Sequence, residues 1–489
     1  MNKISIDPIT RLEGHGKIDI FLDDEGNVAN AYLIIPELRG FEKFAEGRPV
    51  EEMARITPRI CGVCPEAHHM ASAKAADAVY HVEVPPTGKK LRELLYSAFY
   101  VADHTVHFYI LAGPDFVLGP DAPPAERNIL GLIHKVGVEI GSKVIASRGK
   151  AMDIVGLLGG KTIHPVGALP GGVSKAINEE ERAGIEATGH ELIDFAQFTL
   201  QILKDVVLAN KAYLDMILSD AYTTPMYYMG LVDEHNHVNF YDGKVRVVDP
   251  EGKEFVKYSP EQYLDVVAEH VEPWTYLKFP YLKQVGWKGF VTGKDSGVYQ
   301  ATPLSRLNAA DGMATPRAQE AYDEFYSTMG GKPVHGTLAT HWARLIELLY
   351  AAERTVELAT DPEITNPHVR NIPTATPTEG VGIVEAPRGT LTHHFITDEH
   401  GIVKKANLIV GTTNNYAPIS ISVKKAAQAF IHKGQVVSEG ILNRVEMAFR
   451  SYDPCFGCAT HTLPGQMPLE VRIRDAEGNV LDVLQKNLD

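Results

Sequence analysis

The chain of 489 residues has only four cysteines, no lysine- or arginine-rich block, and no apolar run near the roughly 20 residues that a bilayer-crossing helix needs. Four cysteines in so long a chain exclude a disulfide-stapled scaffold. The opening stretch, MNKISIDPITRLEGHGK, has no apolar signal region, so the expectation is a cytoplasmic chain in a reducing compartment without a membrane span. With 47 Lys+Arg against 62 Asp+Glu, the formal charge is −15. That argues against an anionic membrane surface and against nucleic acid as a partner. Internal repeats and low-complexity linkers are missing too.

What remains is an ordinary globular composition, 44% hydrophobic and 22% charged, with enough chain for a large core. KIDIFLDDEGNVANAYLII alternates around Asp24-Glu25-Gly26-Asn27 and predicts a hairpin. Residues 88–113 are apolar almost all round and predict a buried helix; residues 178–220, which open with an acidic turn, and residues 341–361 predict two more. Hairpins are expected again at 238–258, 393–411 and 469–485. The fold class expected is α+β and predominantly helical: a long buried helix bundle with peripheral β-hairpins.

Some patterns carry no chemistry. GLLGGKT (156–162) lacks the first glycine of a phosphate loop, Val155 standing there, and Pro165 breaks the continuation, so it reads as a glycine-rich turn. His104 and His107, on the apolar 88–113 helix, read as hydrogen-bonded core residues. His393-His394 opens a strand and reads as plain structure.

All four cysteines fall in two CxxC pairs, Cys61/Cys64 in RICGVCPEAHHM and Cys455/Cys458 in SYDPCFGCATH, each with a histidine close behind. The pairs are 391 positions apart (64 to 455). If they meet, residues 1–461 fold as one unit around them. Three chemistries use such pairs: a structural zinc site, a dithiol–disulfide site, and a redox metal centre in which soft thiolates hold nickel or iron. The wide separation suits a compact zinc ribbon poorly, and the spacing alone leaves all three open.

Five segments, DPITRLEGH, RGFEKFAEGRP, RICGVCPEAHH, EAPRGTLTHH and DPCFGCATH, resemble in order the motifs of the large subunit of [NiFe] hydrogenases, over residues 7–461. GVGIVEAPRGTLTHH and YLKFPYLKQVGW resemble its soluble group, the methyl-viologen-reducing, NAD-reducing and electron-bifurcating enzymes. One departure is Asn414, in GTTNNYAP, where that family carries Trp. The resemblance implies the fold of that subunit and reversible heterolytic cleavage of dihydrogen at a buried Ni–Fe centre, with two cyanides and one carbon monoxide on iron. Cys61 and Cys455 would be terminal nickel ligands, and Cys64 and Cys458 would bridge the metals. His68 would donate a hydrogen bond to a bridging sulfur. Glu13 would relay the proton from Cys455, burial raising its pKa. Arg388 would donate to one cyanide and Thr412 to the other, with Asp115 and Asp453 positioning Arg388. Glu42 and His461 would hold magnesium or a similar ion, with a carbonyl near Ile421 and waters.

The same resemblance implies an obligate iron–sulfur small subunit, flavin or diaphorase subunits beyond it, and a maturation protease and nickel chaperones. Residues 462–489 would be a C-terminal extension removed once nickel is in place, leaving His461 as the end. Three rivals use parts of the pattern: a dihydrogen sensor with the same site, a metal-free complex I-like subunit, and a zinc-binding structural subunit. The four cysteines argue against the second.

Overall fold

The computed structural model describes residues 3–37, 39–459, 469–474 and 480–486. The chain opens as a three-stranded antiparallel sheet, β1 (Lys3–Ile6), β2 (Lys17–Leu22) and β3 (Val28–Ile34). The β2–β3 turn closes where expected: the Asp23 carboxylate accepts from the Glu25 and Asn27 amides, and Gly26 takes the left-handed conformation at φ 88°.

Helix α1 (Pro65–Val79) follows the first cysteine pair, with Cys64 at its N-cap and Pro65 in its first turn. Helix α2 (Pro86–Val106) covers most of the expected 88–113 helix. It continues as a π-turn over His107–Ala112 into a short helix, Gly113–Val117. Pro114 cannot donate back into a regular α-helix, and the wider turn accommodates it. Next come α3 (Val138–Gly159), which sequence periodicity did not single out, and α4 (Glu179–Leu203). The acidic start of α4 forms a capping box between Asn178 and Glu181. The glycines of GLLGGKT end α3, with Gly160 left-handed at φ 77°, and form the turn expected of them.

A six-stranded sheet contains β4 (Tyr227–Val232), β5 (Lys244–Val248) and β6 (Glu254–Tyr258). It is followed by a separate hairpin, β7 (Val267–Val271) and β8 (Lys278–Leu282). Short helix α5 (Pro303–Ala309) leads to α6 (Thr340–Ala359), which packs between α2 and α4 as the centre of the bundle. The antiparallel sheet β9 (Glu379–Ala386), β10 (Gly389–Thr397) and β11 (Val403–Ile409) then lies against α1. That contact is backbone-close: a Cβ at Gly382 would stand 2.1 Å from the Ala71 carbonyl oxygen, so glycine alone lets β9 approach the cysteine-bearing helix. The chain ends with α7 (Tyr416–Phe430), α8 (Glu439–Arg450), the second cysteine pair, and a two-stranded sheet of β12 (Leu469–Arg474) and β13 (Val480–Lys486). This matches the expected α+β class, a helical bundle with hairpins around it. One continuous apolar core includes all four cysteines.

Candidate metal centre

The two ends of the chain meet at the cysteines. A tight turn over Thr57–Ile60 delivers Cys61, whose sulfur accepts the Val63 and Cys64 amides at 3.1 and 3.2 Å. From the other end, Cys455 pairs with Glu13 as an isolated parallel bridge, and the Phe456 amide donates to the Glu13 carbonyl at 3.1 Å. Cys61 Sγ lies 3.4 Å from Cys455 Sγ, and Cys64 Sγ lies 3.6 Å from Cys458 Sγ. Cys455 and Cys458 stand at disulfide contact. All four sulfurs fall within 4.8 Å of one another, and none of the four residues is more than 3% exposed.

Four sulfurs this close in an apolar core cannot all ionise without compensating charge. The first pair shows the tension. Burial acts to raise the Cys61 thiol, but hydrogen bonding from Cys64 and the Arg388 charge bring it below its ordinary value. Cys64 is pushed well up by its bond to Cys61 and by burial. The two thiols thus differ in how readily they ionise, and metal binding would displace their protons.

Glu13 reaches the cluster directly. Its Oε2 lies 2.9 Å from Cys455 Sγ and accepts from the Gly457 amide at 3.0 Å. Burial raises its pKa, against the pull of Gly457 and Arg388. Gly457 has no side chain for a reason: a Cβ there would sit 2.8 Å from Glu13 Oε1.

Arg388 lies in the β9–β10 turn. One terminal nitrogen donates to Asp103 at 3.0 Å, the other meets Asp453 at 3.0 Å, and Nε is buried without a partner among the described residues. Asp453 adopts a left-handed backbone, φ 54°, and also contacts Arg344 at 3.3 Å. Burial raises it to about 6 against both guanidiniums. Thr412 Oγ1 accepts the Cys455 amide at 3.0 Å. A hydroxyl that accepts through oxygen keeps its proton to donate.

Asp115 requires a correction. It does not position Arg388: its carboxylate binds Arg11 at 2.5 Å, Arg450 at 2.7 Å and Asn443 at 3.0 Å. The π-turn and Pro114 direct this segment to α8 instead. The role expected of Asp115 falls to Asp103, which with His104 is the only Asp, Glu, Lys, Arg or His in residues 94–106 of α2. An acid amid so much hydrophobic sequence was the signal that could have found it. Arg344, on α6, was missed for the same reason. His104 and His107 are core residues as expected, bonded to Glu347 at 3.0 Å and to the Arg450 carbonyl at 3.0 Å.

His68, one turn after Cys64 on α1, meets His393 of β10 through Nδ1 at 3.1 Å. Glu42 is buried, accepts the Leu408 amide at 2.9 Å, and is paired with Lys278 at 3.1 Å. Burial raises its pKa against that lysine. Ile421 is buried in α7, while His461 and most of 462–489 lie outside the described residues. Asn414, the departure noted in the sequence, is held by hydrogen bonds: Nδ2 donates to the Thr390 carbonyl at 2.6 Å, and Oδ1 accepts from Tyr299 at 2.5 Å.

The donor set fits a soft dinuclear metal centre. It offers four convergent sulfurs, and the buried Arg388 Nε donor awaits an acceptor beside them. Among the described residues this is the one cluster of three or more Cys, His, Asp or Glu side chains able to hold a metal.

Comparison with known proteins points the same way. A family model described as nickel-dependent hydrogenase matches residues 39–128 and 142–461, and a HoxL-like model matches 3–38. An F420-non-reducing hydrogenase iron-sulfur subunit of Archaeoglobus profundus is 51% identical, over 99% of this chain and 100% of that protein. The NAD-reducing hydrogenase HoxS subunit beta of Cupriavidus necator is 38% identical, over 98% and 99%. A crystal structure of an NAD+-reducing [NiFe]-hydrogenase in the H2-reduced state superposes with a TM-score of 0.88 at 37% identity, covering 94% of this chain and 100% of that one. The Ni-Fe-Se hydrogenase of D. vulgaris Hildenborough, at 23% identity and a TM-score of 0.74, shares the fold.

Proposed function

The chain belongs to the nickel-dependent hydrogenases, as their large subunit, and from that premise we propose how its own residues serve the cleavage of dihydrogen. Cys61, Cys64, Cys455 and Cys458 would hold the Ni–Fe pair, whose iron would carry two cyanides and one carbon monoxide. Cys61 and Cys455 would serve nickel, and Cys64 and Cys458 would serve both metals. When bound, the metal pair supplies the Lewis acidity and electron capacity that polarise dihydrogen.

The observation that carries the reading is Glu13 Oε2 2.9 Å from Cys455 Sγ inside the four-sulfur cluster. A carboxylate whose proton affinity is raised by burial can take a proton at that sulfur and release it outward. The Gly457 amide holds its oxygen in line. Arg388, clamped by Asp103 and Asp453, offers its spare Nε–H to one cyanide nitrogen, and the Thr412 hydroxyl serves the other. His68 donates to a bridging sulfur. Glu42 and His461 bind magnesium or a similar hard ion, together with a carbonyl near Ile421. Lys278 also meets Glu269 at 3.4 Å, and two carboxylates against one ammonium leave a negative charge for such a cation to neutralise.

Electrons need another chain. All four cysteines are committed, so none remains here for an iron–sulfur cluster. The partner is an iron–sulfur small subunit, with flavin or diaphorase subunits leading to a soluble acceptor. The NAD-reducing relative supports a soluble acceptor such as NAD. No helix among the described residues is long and apolar enough to cross a membrane, and we place the enzyme in the cytoplasm. Nickel chaperones load the site, and a maturation protease then removes residues 462–489. Intact-mass measurement of active protein decides that step, a chain ending at His461 supporting it and a full-length active chain ending it. For the centre itself, metal analysis with infrared spectroscopy is the test. Nickel and iron in equal amounts with cyanide and carbonyl bands are expected, and zinc alone would overturn the reading.

A further inference from the structure

A buried chain of hydrogen bonds leads away from His68 on the side opposite to its role at sulfur. His68 Nδ1 is 3.1 Å from His393 Nε2, His393 Nδ1 is 2.7 Å from Ser72 Oγ, and Ser72 Oγ is 2.8 Å from Thr57 Oγ1. All four side chains are at most 1% exposed. Ser72 stands one turn beyond His68 on the same face of α1, and His393 comes from β10, the strand that follows the Arg388 turn. The chain therefore ties two of the sequence motifs together at the metal centre.

Each link holds one hydrogen, and a neutral imidazole carries a single N–H. Two arrangements are self-consistent. In the first, every hydrogen points toward Thr57: His68 Nδ1–H donates to His393, His393 Nδ1–H to Ser72, Ser72 to Thr57, and Thr57 to the Met53 carbonyl at 2.9 Å. In the second, Thr57 donates to Ser72, Ser72 to His393 Nδ1, and His393 Nε2–H to His68 Nδ1. The hydrogen of His68 then sits on Nε2. The second arrangement leaves no backbone group stranded, because the Met53 carbonyl already accepts the Thr57 amide. Only the second makes His68 Nε2 a donor; in the first that nitrogen carries a lone pair, which cannot serve the thiolate that the proposed function assigns to it.

We infer that His393 and Ser72 are positioning residues that hold the His68 ring and keep its hydrogen on Nε2, where a cluster thiolate accepts it. The inference rests on the reading of the four cysteines as thiolate ligands. It changes the standing of His393, which the sequence presents as an ordinary strand residue. Its ring is the donor that completes His68, and the Ser72 hydroxyl orients His393 in turn.

The test is infrared spectroscopy and metal analysis on the complete holoenzyme complex, wild type and variants. A hydrogen bond to a thiolate draws electron density from the metal beyond it. Weakening that bond sends more density onto the carbonyl and moves its band to lower wavenumber. The expected order of shift is largest for His393→Phe and smaller for Ser72→Ala. His393→Gln, whose amide can still donate to His68 Nδ1, should stay at the wild-type position. Nickel and iron at wild-type levels in Ser72→Ala separate this effect from failed assembly. If His393→Phe does not assemble, Ser72→Ala and His393→Gln decide the matter between them. Full metal content with an unmoved carbonyl band in Ser72→Ala overturns the inference, as does a His393→Gln band displaced as far as that of Ser72→Ala. A wild-type complex with neither nickel nor a carbonyl band overturns the metal-centre reading and this inference with it, an outcome distinct from the other two.

Discussion

Asp115 and Asp453 are each buried between two arginines, yet their surroundings differ in kind. Around Asp115, both oxygens are taken by Arg11, Arg450 and Asn443, and Arg450 reaches on to Glu446. Burial opposes its ionisation, but the Arg450 and Arg11 charges hold it below the usual carboxylate range. Around Asp453, two guanidiniums approach at 3.0 and 3.3 Å, its pKa is raised to about 6, and its backbone is left-handed. Arg388 Nε and Asp103 Oδ1 beside it have no partner among the described residues. A closed network of buried charge joins elements together, whereas one with open donors beside sulfur leaves room for something else.

The most severe way to break the open side is to remove what it faces. Cys61→Ser and Cys455→Ser each replace a soft thiolate with a hard hydroxyl. Nickel content and dihydrogen oxidation should fall to background in both, measured by metal analysis and dye reduction; appreciable activity in either contradicts the ligand assignment. Next in size is Glu13→Gln, which keeps the shape and the Gly457 bond but removes the proton acceptor. Loss of a positioned acid–base group typically costs about 10²–10⁴-fold in rate. The infrared bands of the centre should persist, and hydrogen–deuterium exchange at the wild-type rate would show that protons leave by another route.

The third contrast pits the two aspartates against each other. Asp115→Asn leaves Arg11 and Arg450 facing a neutral group, and breaking a buried pair of this kind costs about 3–5 kcal/mol. Asp453→Asn should cost less, because Arg388 keeps Asp103 and asparagine tolerates the left-handed backbone, but it should impair turnover more. Urea unfolding beside dihydrogen oxidation separates the two. Equal stability losses would mean that the networks do not differ as described.

Asp115 also shows where the sequence was readable and where it was not. The hairpins and the acidic start of α4 follow from local chemistry, turn residues and periodicity, whereas the meeting of the two CxxC pairs was implied by the family resemblance and not by their spacing. The placement of Asp115 depends on a π-turn at His107–Ala112, and no residue pattern there announces how far the following segment rotates. Asp103 and Arg344 sit inside helices whose periodicity marks them as core, and only tertiary packing brings them to Arg388. His393 was legible as a strand residue, but its partner Ser72 lies 321 positions away. The sequence therefore pointed to the residues gathered around the four sulfurs better than to those that hold them in place.

The smallest effect is a pH dependence of the closed network. A carboxylate whose folded pKa is depressed contributes stability that is fully present above its unfolded value, about 3.9 for aspartate. That contribution is lost as pH falls through the depressed folded value, because the folded state must then take up a proton that its arginine partners oppose. Burial works against the depression at Asp115, and Arg450 and Arg11 outweigh it. Asparagine has no such proton to bind. The stability difference between wild type and Asp115→Asn should therefore be constant above about pH 4 and narrow progressively below it. Urea unfolding at a series of acidic pH values measures that difference directly. A gap that stays constant on acidification would mean that the aspartate's charge is not what Arg11 and Arg450 hold, and that hydrogen-bond geometry alone closes the network.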